Sequence, residues 1–322
     1  MTLRILMSAK ARQQLAADVA GLLAETPHVF AEPGEDADIA FVSRDVTGLS
    51  TKHAVLPDTQ HFYDAMLGAH SLRWVQAHSA GADRFIFNEL RQRGVTVTAA
   101  SGANASVVVQ TALAGILALA RRFPQLMDAQ RRKVWAPLVG SGLPRDLAGQ
   151  TAVIVGWGPI GQGLATLLQA LGLRVSVVRG SDTPAAHATE TVPFENVHQV
   201  LPQADWLVLA CPLSERTRGL IDETALRLLP QGAHVVNIAR GEVIDEAALV
   251  DALVAGRLAG AYLDVFEREP LPQESPLWTL PNVIATPHSA GQSDGNAQRV
   301  SAIFLDNLSR WRDGRPLLYI SR

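Results

Sequence analysis

Short apolar runs alternate along most of the chain with segments whose apolar residues recur at helical spacing. In the first hundred residues these runs are LRILMSA, DIAFVSR, RWVQAHS and GVTVTAA. Apolar, β-branched runs separated by amphipathic segments are typical of βαβ units, in which helices cover a parallel sheet. The pattern therefore predicts that the chain begins with a doubly wound α/β domain.

A long apolar segment, SVVVQTALAGILALARRF, separates this series from a second one. It is apolar on nearly every side, which predicts a buried helix. Further strand-like runs come after it, again with helical segments between them: TAVIVG, RVSVV, DWLVLAC, AHVVNIA, LAGAYLDVF and NVIATPH. This second series predicts a second doubly wound domain.

A last helical pattern, NAQRVSAIFLDNLSRWRDG, lies beyond the second series. Its length and pattern favour packing against the first domain, which would then be discontinuous. The predicted domains are residues 1–103 with 291–322 and, inserted between them, residues 104–290. The predicted fold class is α/β, with two doubly wound parallel-sheet domains.

A glycine-rich turn, VIVGWGPIGQG, joins the first strand of the second series to a helix. In such a turn Gly156 permits the tight bend, Gly158 lets the backbone approach a pyrophosphate, and Gly161 allows helix and strand to touch. The N-terminus of the following helix faces the anion. The turn predicts a dinucleotide-binding Rossmann domain whose cofactor contacts include Gly156, Trp157, Gly158, Pro159, Ile160 and Gly161.

The run RVSVV ends in an arginine where a dinucleotide site usually has an acid. About 20 residues after the first glycine, an acidic side chain commonly binds the ribose hydroxyls of NAD. Arg179 instead offers charge-assisted hydrogen bonds to a 2′-phosphate, and Ser181 adds a hydroxyl. We therefore expect a preference for NADP(H), with NAD(H) as the alternative cofactor. A shifted register, in which Asp182 takes the ribose position, stays open, as does a merely exposed arginine.

Composition narrows the classes of partner. The chain has 322 residues, a formal net charge of −3 and one cysteine, Cys211. A nearly neutral chain favours a small ligand over nucleic acid or an anionic membrane. A single cysteine excludes an intramolecular disulfide and a cysteine-rich zinc site, so no metal site is predicted. With no signal-like N-terminus, a soluble, cytoplasmic protein is expected.

Three stretches place ionisable residues directly after apolar runs: HVVNIARGEVIDE, GAYLDVFEREPLP and NVIATPHSAG. In an open α/β sheet the ligand crevice lies outside the carboxyl ends of the strands. Arg240, Asp264, Glu269 and His288 are therefore expected to converge on one cleft.

Five blocks of the sequence resemble the signatures of the D-isomer-specific 2-hydroxyacid dehydrogenases: RDLAGQTAVIVGWGPIG, ACPLSERTRGLI, NIARGEVIDEAALVDAL, LAGAYLDVFEREPLP and SPLWTLPNVIATPHSAG. The resemblance is dense from about Arg145 to Gly291 and thinner before that. It implies a Rossmann domain inserted into a discontinuous, flavodoxin-like substrate domain. It also implies a dimer, which the apolar SVVVQTALAGILALA segment favours as well.

The resemblance implies a catalytic set of three residues. Arg240 matches the arginine that binds the substrate carboxylate and keto oxygen, and orients the carbonyl. His288 matches the general acid/base, and Glu269 matches the carboxylate paired with it. Imidazole titrates near neutrality, so it suits proton exchange with a carbonyl oxygen, and a neighbouring carboxylate fixes the ring. Glu267, two residues before Glu269, is expected to be solvated.

The resemblance also implies binding residues outside the glycine turn. Ala80 and Gly81, together with Arg240 and His288, are implied to bind the substrate. Arg44, in the unassigned stretch FVSRDVTG, is expected at the surface. The further cofactor contacts that the resemblance implies are Cys211, Pro212, Thr217, Ile238, Ala239, Arg240, Asp264, His288 and Ala290.

These expectations describe an oxidoreductase that reduces a small 2-keto acid, of the glyoxylate or hydroxypyruvate type, to the D-2-hydroxy acid. Two alternatives stay open. One is phosphoglycerate dehydrogenase-type activity on a phosphorylated hydroxyacid, which would need a basic pocket in the first domain. The other is a non-catalytic, nucleotide-sensing protein similar to the corepressors that share this fold. The intact arginine, glutamate and histidine argue against the second.

Overall fold

The computed structural model describes residues 2–140 and 142–321. The chain divides into two compact units: unit 1, Met1–Asn104 with Gln292–Arg322, and unit 2, Ala105–Gly291. Each boundary falls within one residue of the position that the sequence predicts.

The regular elements of the described residues alternate between strands and helices. The strands are β1 Leu3–Met7, β2 His28–Ala31, β3 Ile39–Val42, β4 Trp74–Ala77, β5 Thr96–Thr98, β6 Thr151–Val155, β7 Arg174–Arg179, β8 Glu190–Pro193, β9 Trp206–Leu209, β10 Ala233–Asn237, β11 Leu258–Leu263 and β12 Val283–Ala285. The helices are α1 Ala9–Leu22, α2 Arg44–Thr47, α3 Pro57–Gly68, α4 Phe85–Gln92, α5 Ala105–Ala120, α6 Phe123–Arg131, α7 Pro159–Ala170, α8 Glu223–Leu228, α9 Glu246–Val254 and α10 Asn296–Arg312.

Unit 1 contains a parallel sheet with the strand order β2-β1-β3-β4-β5. The C-terminal helix α10 packs on this sheet: the ring of Phe304 stacks on Phe41, with centroids 4.5 Å apart, and on Trp74 at 5.7 Å. Asn307 reinforces the contact by donating a hydrogen bond to the buried Gln76 amide oxygen at 2.9 Å. Stacked aromatic rings and a satisfied buried amide make the end of the chain an integral part of unit 1.

Unit 2 contains a parallel sheet with the order β12-β11-β10-β9-β6-β7-β8. The order reverses at β6, whose neighbours are β7 and β9, so the topological switch point lies between β6 and β9. Ligands of open α/β sheets bind beside the carboxyl ends of the strands at such a point. The predicted fold class, two doubly wound parallel-sheet domains, is confirmed.

Two strands are missing from the sequence pattern, and both are edge strands. In β2 only Ala31 is fully buried, and in β8 only Val192. An edge strand is covered on fewer sides than a central one, so it does not need a long apolar run. Unit 2 therefore has one strand more than the sequence predicts, and so does unit 1.

Helix α5, the predicted buried helix, lies against the sheet of unit 2. A side chain on Gly115 would place its Cβ 2.5 Å from the Tyr262 ring on β11, so the close approach requires glycine there. No single helix among the described residues has both the length and the apolarity to cross a lipid bilayer. The pair α5 and α6 reaches that length and composition only when joined, and it bends by 71° at the break.

Candidate active site

The glycine turn has the shape that a dinucleotide requires. Gly156 has φ +110°, and a Cβ there would lie 2.6 Å from the Ala210 carbonyl oxygen. A Cβ on Gly161 would lie 2.1 Å from the Gly156 carbonyl oxygen, whereas a Cβ on Gly158 would meet no atom within 4 Å. Close contacts with neighbouring backbone atoms therefore require glycine at the first and third positions. The second faces open space, as expected where a ligand approaches the backbone.

The N-terminus of the helix after the glycine turn can bind an anion. Helix α7 starts at Pro159, and its cap residue Gly158 has no side chain that could accept hydrogen bonds from the first-turn amides. A helix N-terminus without a side-chain cap leaves donors and a positive dipole end for a ligand. The residues present therefore fit the pyrophosphate of a dinucleotide, with Trp157 and Ile160 half-buried against the adjoining core.

Strand β7 ends at Arg179. Arg179 donates from Nη1 to the Thr183 carbonyl oxygen at 3.5 Å, and the Ser181 hydroxyl donates to Thr183 Oγ1 at 3.2 Å. Asp182 lies beyond the end of the strand and is exposed. Arg179, rather than Asp182, therefore occupies the end of the strand.

The segment after β9 closes the other side of the switch point. Cys211 is buried, with its backbone nitrogen 2.6 Å from where a Gly156 Cβ would stand. Burial raises the pKa of its thiol to about 12, so the group is protonated at neutral pH and unsuited to nucleophilic attack. The buried Thr217 hydroxyl donates to the Pro212 carbonyl oxygen at 2.7 Å and accepts from the Ser214 amide at 2.8 Å, which closes the loop on itself.

His288 and Glu269 form a direct pair. The His288 ring nitrogen Nδ1 lies 2.8 Å from Glu269 Oε2, and the Phe266 amide donates to Glu269 Oε1 at 3.2 Å. The Glu269 side chain is only 11% exposed, while that of His288 is 47% exposed. The carboxylate is therefore held inside the protein, while about half of the His288 side chain reaches solvent and its second nitrogen, Nε2, takes no part in the pair.

The pKa of Glu269 is lowered in spite of its burial. Burial acts first and raises it, but the hydrogen bond and charge of His288, the Phe266 amide and the charge of Arg240 together outweigh that effect. Glu269 is therefore ionised at neutral pH, and the ionised carboxylate accepts a hydrogen bond from Nδ1, which fixes the orientation of the imidazole ring.

The turn that carries His288 is held by a buried carboxylate. Asp264 accepts hydrogen bonds from the Thr286 hydroxyl at 2.7 Å and from the amides of Ser289 at 2.8 Å and Ala290 at 3.0 Å. His288 itself has φ +49°, a left-handed conformation that is costly for a non-glycine residue and needs such support. Burial raises the pKa of Asp264, against these hydrogen bonds. Its contacts show a positioning group; contact with a nicotinamide carboxamide stays a prediction.

Arg240 comes after β10 and is fixed through its backbone. The buried Asn237 amide donates to the Arg240 carbonyl oxygen at 3.0 Å and accepts from the Ala239 amide at 3.0 Å. Arg240 donates from Nη1 to the Ala239 carbonyl oxygen at 2.7 Å. A Cβ on Gly241 would lie 1.9 Å from the Phe266 carbonyl carbon, so glycine lets this segment lie directly against the backbone that leads to Glu269. Ile238 and Ala239 are buried beside it.

Glu267 contacts the start of α9 and not His288. Its Oε1 accepts from the Glu246 amide at 3.3 Å, and its own amide donates to Glu246 Oε2 at 3.0 Å. The Glu246–Glu267 pair lies at the N-terminus of α9, where the helix dipole stabilises negatively charged side chains. Glu267 is exposed, as the sequence predicts.

In unit 1, Ala80 and Gly81 lie just after β4, at the carboxyl edge of the sheet. Ala80 is exposed, and the Ser79 hydroxyl donates to the Gly81 carbonyl oxygen at 2.6 Å, which shapes the turn. Arg44 is exposed at the start of α2, as predicted. His78 was not singled out from the sequence: its Nε2 lies 2.8 Å from Thr47 Oγ1. Burial and then the charges of Arg44 and Arg84 lower the pKa of His78 to about 3.

The structure therefore brings Arg240, Glu269 and His288 together in unit 2 and places Asp264 behind them. Sequence reasoning missed the supporting residues Asn237 and Thr286. The available signal for Asn237 was a polar residue inside the apolar run HVVNIA, which a buried strand tolerates only when its amide is bonded.

Comparisons with known proteins agree with this geometry. The family model for the NAD-binding domain of D-isomer specific 2-hydroxyacid dehydrogenases matches residues 113–290. A glyoxylate reductase from Thermococcus kodakarensis is 34% identical over 276 residues, which are 84% of this chain and 81% of that protein. A glyoxylate/hydroxypyruvate reductase from Arabidopsis thaliana is 33% identical over 252 residues, 77% of this chain and 76% of that protein.

A solved structure extends the likeness to both units. The D-isomer specific 2-hydroxyacid dehydrogenase from Xanthobacter autotrophicus, in complex with NADPH and MES, superposes with a TM-score of 0.76 and 28% identity. The match covers 99% of this chain and 98% of that one. The chain belongs to the D-isomer-specific 2-hydroxyacid dehydrogenase family and is an oxidoreductase that uses a nicotinamide dinucleotide.

Proposed function

We propose that this enzyme reduces a small 2-keto acid of the glyoxylate or hydroxypyruvate type to the D-2-hydroxy acid, with NADPH as the preferred cofactor. The names of the Thermococcus and Arabidopsis relatives support this substrate class. The observation that carries the proposal is the His288–Glu269 pair, with Nδ1 and Oε2 2.8 Å apart, next to Arg240.

The residues divide the reaction between them. A nicotinamide dinucleotide held at the glycine turn would supply the hydride that the carbonyl carbon of the substrate gains. His288, oriented by Glu269, gives the proton that the carbonyl oxygen gains, so that one hydride and one proton convert the carbonyl group to an alcohol. Arg240 binds the substrate carboxylate and keto oxygen, which holds the carbonyl in the geometry for attack. That Ala80 and Gly81 of unit 1 bind the substrate stays a prediction.

Arg179 and Ser181 support the choice of NADPH. The guanidinium stands at the end of β7, where an acid would accept hydrogen bonds from a ribose and would repel a phosphate. The hydrogen bond from Arg179 to the Thr183 backbone oxygen is long, at 3.5 Å, so the group can turn to a stronger acceptor. Phosphate oxygens are such acceptors for arginine.

The test is a panel of 2-keto acids, including glyoxylate, hydroxypyruvate and a phosphorylated keto acid, monitored by the absorbance of NADPH and, in parallel, of NADH. We expect the highest kcat/KM for a small unphosphorylated acid with NADPH. A preference for NADH would remove the cofactor assignment. Tight cofactor binding with no turnover of any keto acid would instead favour a nucleotide-sensing protein.

We also propose a homodimer, as the family resemblance implies. A run of large apolar side chains between residues 123 and 143 is exposed in the single chain, and Trp135 is 95% exposed. These side chains are Phe123, Met127, Val134, Trp135, Val139 and Leu143. Exposed apolar clusters of this kind mark surfaces that another protein covers. Light scattering after gel filtration should give twice the chain mass of 34.5 kDa, and Trp135→Ser should lower it.

A further inference from the structure

A second guanidinium lies at the end of β7, and it comes from a distant loop. Arg216, in the segment after β9, donates from Nη1 to the carbonyl oxygen of Gly180 at 3.1 Å. Gly180 is the residue between Arg179 and Ser181. The turn that carries the proposed phosphate ligands therefore contacts a second arginine across 36 residues of sequence.

Arg216 is held in place by groups other than the β7 turn. Its Nε and Nη2 donate to Glu195 Oε1 at 3.0 and 2.7 Å, and its guanidinium carbon lies 5.3 Å from the centre of the Phe194 ring. A hydrogen bond to its own backbone amide, and then the hydrogen bond from Arg216, keep the pKa of Glu195 below its ordinary value. An ionised glutamate on one edge and an aromatic ring on one face fix the direction of the guanidinium.

This anchoring leaves donors for a ligand. A guanidinium has five N–H groups, of which the contacts to Glu195 and Gly180 use three. The Arg216 side chain is 50% exposed, so a ligand in solvent can reach it. A phosphate beside Arg179 would give them charged acceptors, which bind guanidinium more strongly than water or a neutral carbonyl does.

We propose that Arg216 is a second specificity-determining residue for the cofactor, and that it binds the 2′-phosphate of NADPH together with Arg179. The inference rests on the proposed preference for NADPH and adds a residue to it. A phosphate monoester carries about −1.5 to −2 charges at neutral pH. The turn 179–183 contains one cation, Arg179, and one acid, Asp182, so a second positive charge beside the phosphate has to come from elsewhere in the fold. The contact with Gly180 makes Arg216 the residue that supplies it.

The experiment measures binding rather than turnover. Titration calorimetry gives the Kd of NADPH, NADH and 2′,5′-ADP for the full-length protein and for Arg216→Gln. The substitution should weaken NADPH and 2′,5′-ADP by about tenfold, the size of a lost charge-assisted hydrogen bond, and leave NADH within about twofold. Arg216→Lys, which keeps the charge, should retain more of the NADPH affinity than Arg216→Gln does.

Arg218→Gln is the matched control. Arg218 lies in the same loop, but its guanidinium is directed to Glu242, with Nη1 and Oε1 3.9 Å apart. The Arg218 variant should bind both cofactors as the unaltered protein does. An equal loss in Arg218→Gln, or an equal weakening of NADPH and NADH in Arg216→Gln, would overturn the inference, because charge in the loop or stacking on the adenine would then explain it.

Failure of the inference is distinguishable from failure of the proposed function. If the unaltered protein binds NADPH no more tightly than NADH, the preference itself is wrong. If the unaltered protein prefers NADPH and Arg179→Gln loses that preference while Arg216→Gln keeps it, only the role of Arg216 is wrong.

Discussion

Two polar regions of unit 2 differ in how they are built. Around His288 the polar groups are packed inside the protein: Glu269 is almost fully covered, and Asp264 is buried with its oxygens occupied by the turn 286–290. Around Arg179 the charges stay in contact with water, with Glu195 62% exposed and Arg216 half exposed.

This difference separates the residues that carry out the reaction from the residues that select the cofactor, that is, chemistry from selection. A buried hydrogen-bonded group has one geometry, and losing its partner is costly, because the orphaned group stays desolvated. Exposed charges are screened and contribute less, but they can be exchanged without loss of the fold. We therefore infer that the region around His288 sets the reaction and the region around Arg179 sets the cofactor.

Replacing His288 should have the largest effect. His288→Ala removes the proton donor, and general acid catalysis typically contributes about 100- to 10,000-fold, so kcat for keto-acid reduction should fall by that factor. The affinity for NADPH, measured by calorimetry, should stay within about twofold. Turnover equal to that of the unaltered enzyme would remove His288 from the mechanism.

Two glycine substitutions compare the packing beside Arg240 with the packing at the glycine turn. Gly241→Ala forces a Cβ to within 1.9 Å of backbone, which should cost about 1–3 kcal/mol and lower Tm by several degrees. Gly158→Ala, whose Cβ meets no atom within 4 Å, is the control: Tm should hold while the affinity for NADPH falls. Equal Tm values for the two variants would contradict the close approach at Gly241.

Glu269→Gln should slow turnover more than it alters the fold. Without the carboxylate on Nδ1 the His288 ring is no longer held in one orientation, so kcat for keto-acid reduction should fall by about tenfold. The affinity for NADPH should stay within about twofold, and an unchanged kcat would argue against the pairing.

The same variant tests stability. Because the folded-state pKa of Glu269 lies below the ordinary 4.5, its ionised form stabilises the fold above that pH. This contribution is lost as the pH falls below about 4.5 towards the lowered value. The difference in Tm between the unaltered protein and Glu269→Gln should therefore shrink in acid. A constant difference across that range would contradict the lowered pKa.

Exchange of Arg179 should have a small, selective effect. Arg179→Gln should reduce the affinity for NADPH by about tenfold, through loss of a charge-assisted contact, and change that for NADH little. Tm should be unaffected, because the hydrogen bond that the side chain makes to Thr183 is long and exposed. Parallel loss for both cofactors would mean that Arg179 acts on the dinucleotide in general.

The sequence predicts the central elements because burial on both faces demands long apolar runs, as in TAVIVG of β6. It does not predict β2 or β8, since edge strands lack that demand. Arg240, Glu269 and His288 could be identified because each lies after a strand and matches a family signature. The support from Asp264 to Ser289, 25 residues apart, and the contact of Arg216 with Gly180 depend on side-chain directions that no local pattern encodes.

One measurement tests the separation of chemistry from selection most directly. It is the ratio of kcat/KM for NADPH to kcat/KM for NADH, measured with a saturating small 2-keto acid. The proteins compared are the unaltered enzyme, Glu269→Gln and Arg179→Gln. We predict a ratio well above one in the unaltered enzyme, the same ratio at lower turnover in Glu269→Gln, and a ratio reduced by about tenfold in Arg179→Gln. A ratio near one in the unaltered enzyme, or one that changes in Glu269→Gln and not in Arg179→Gln, would contradict that separation.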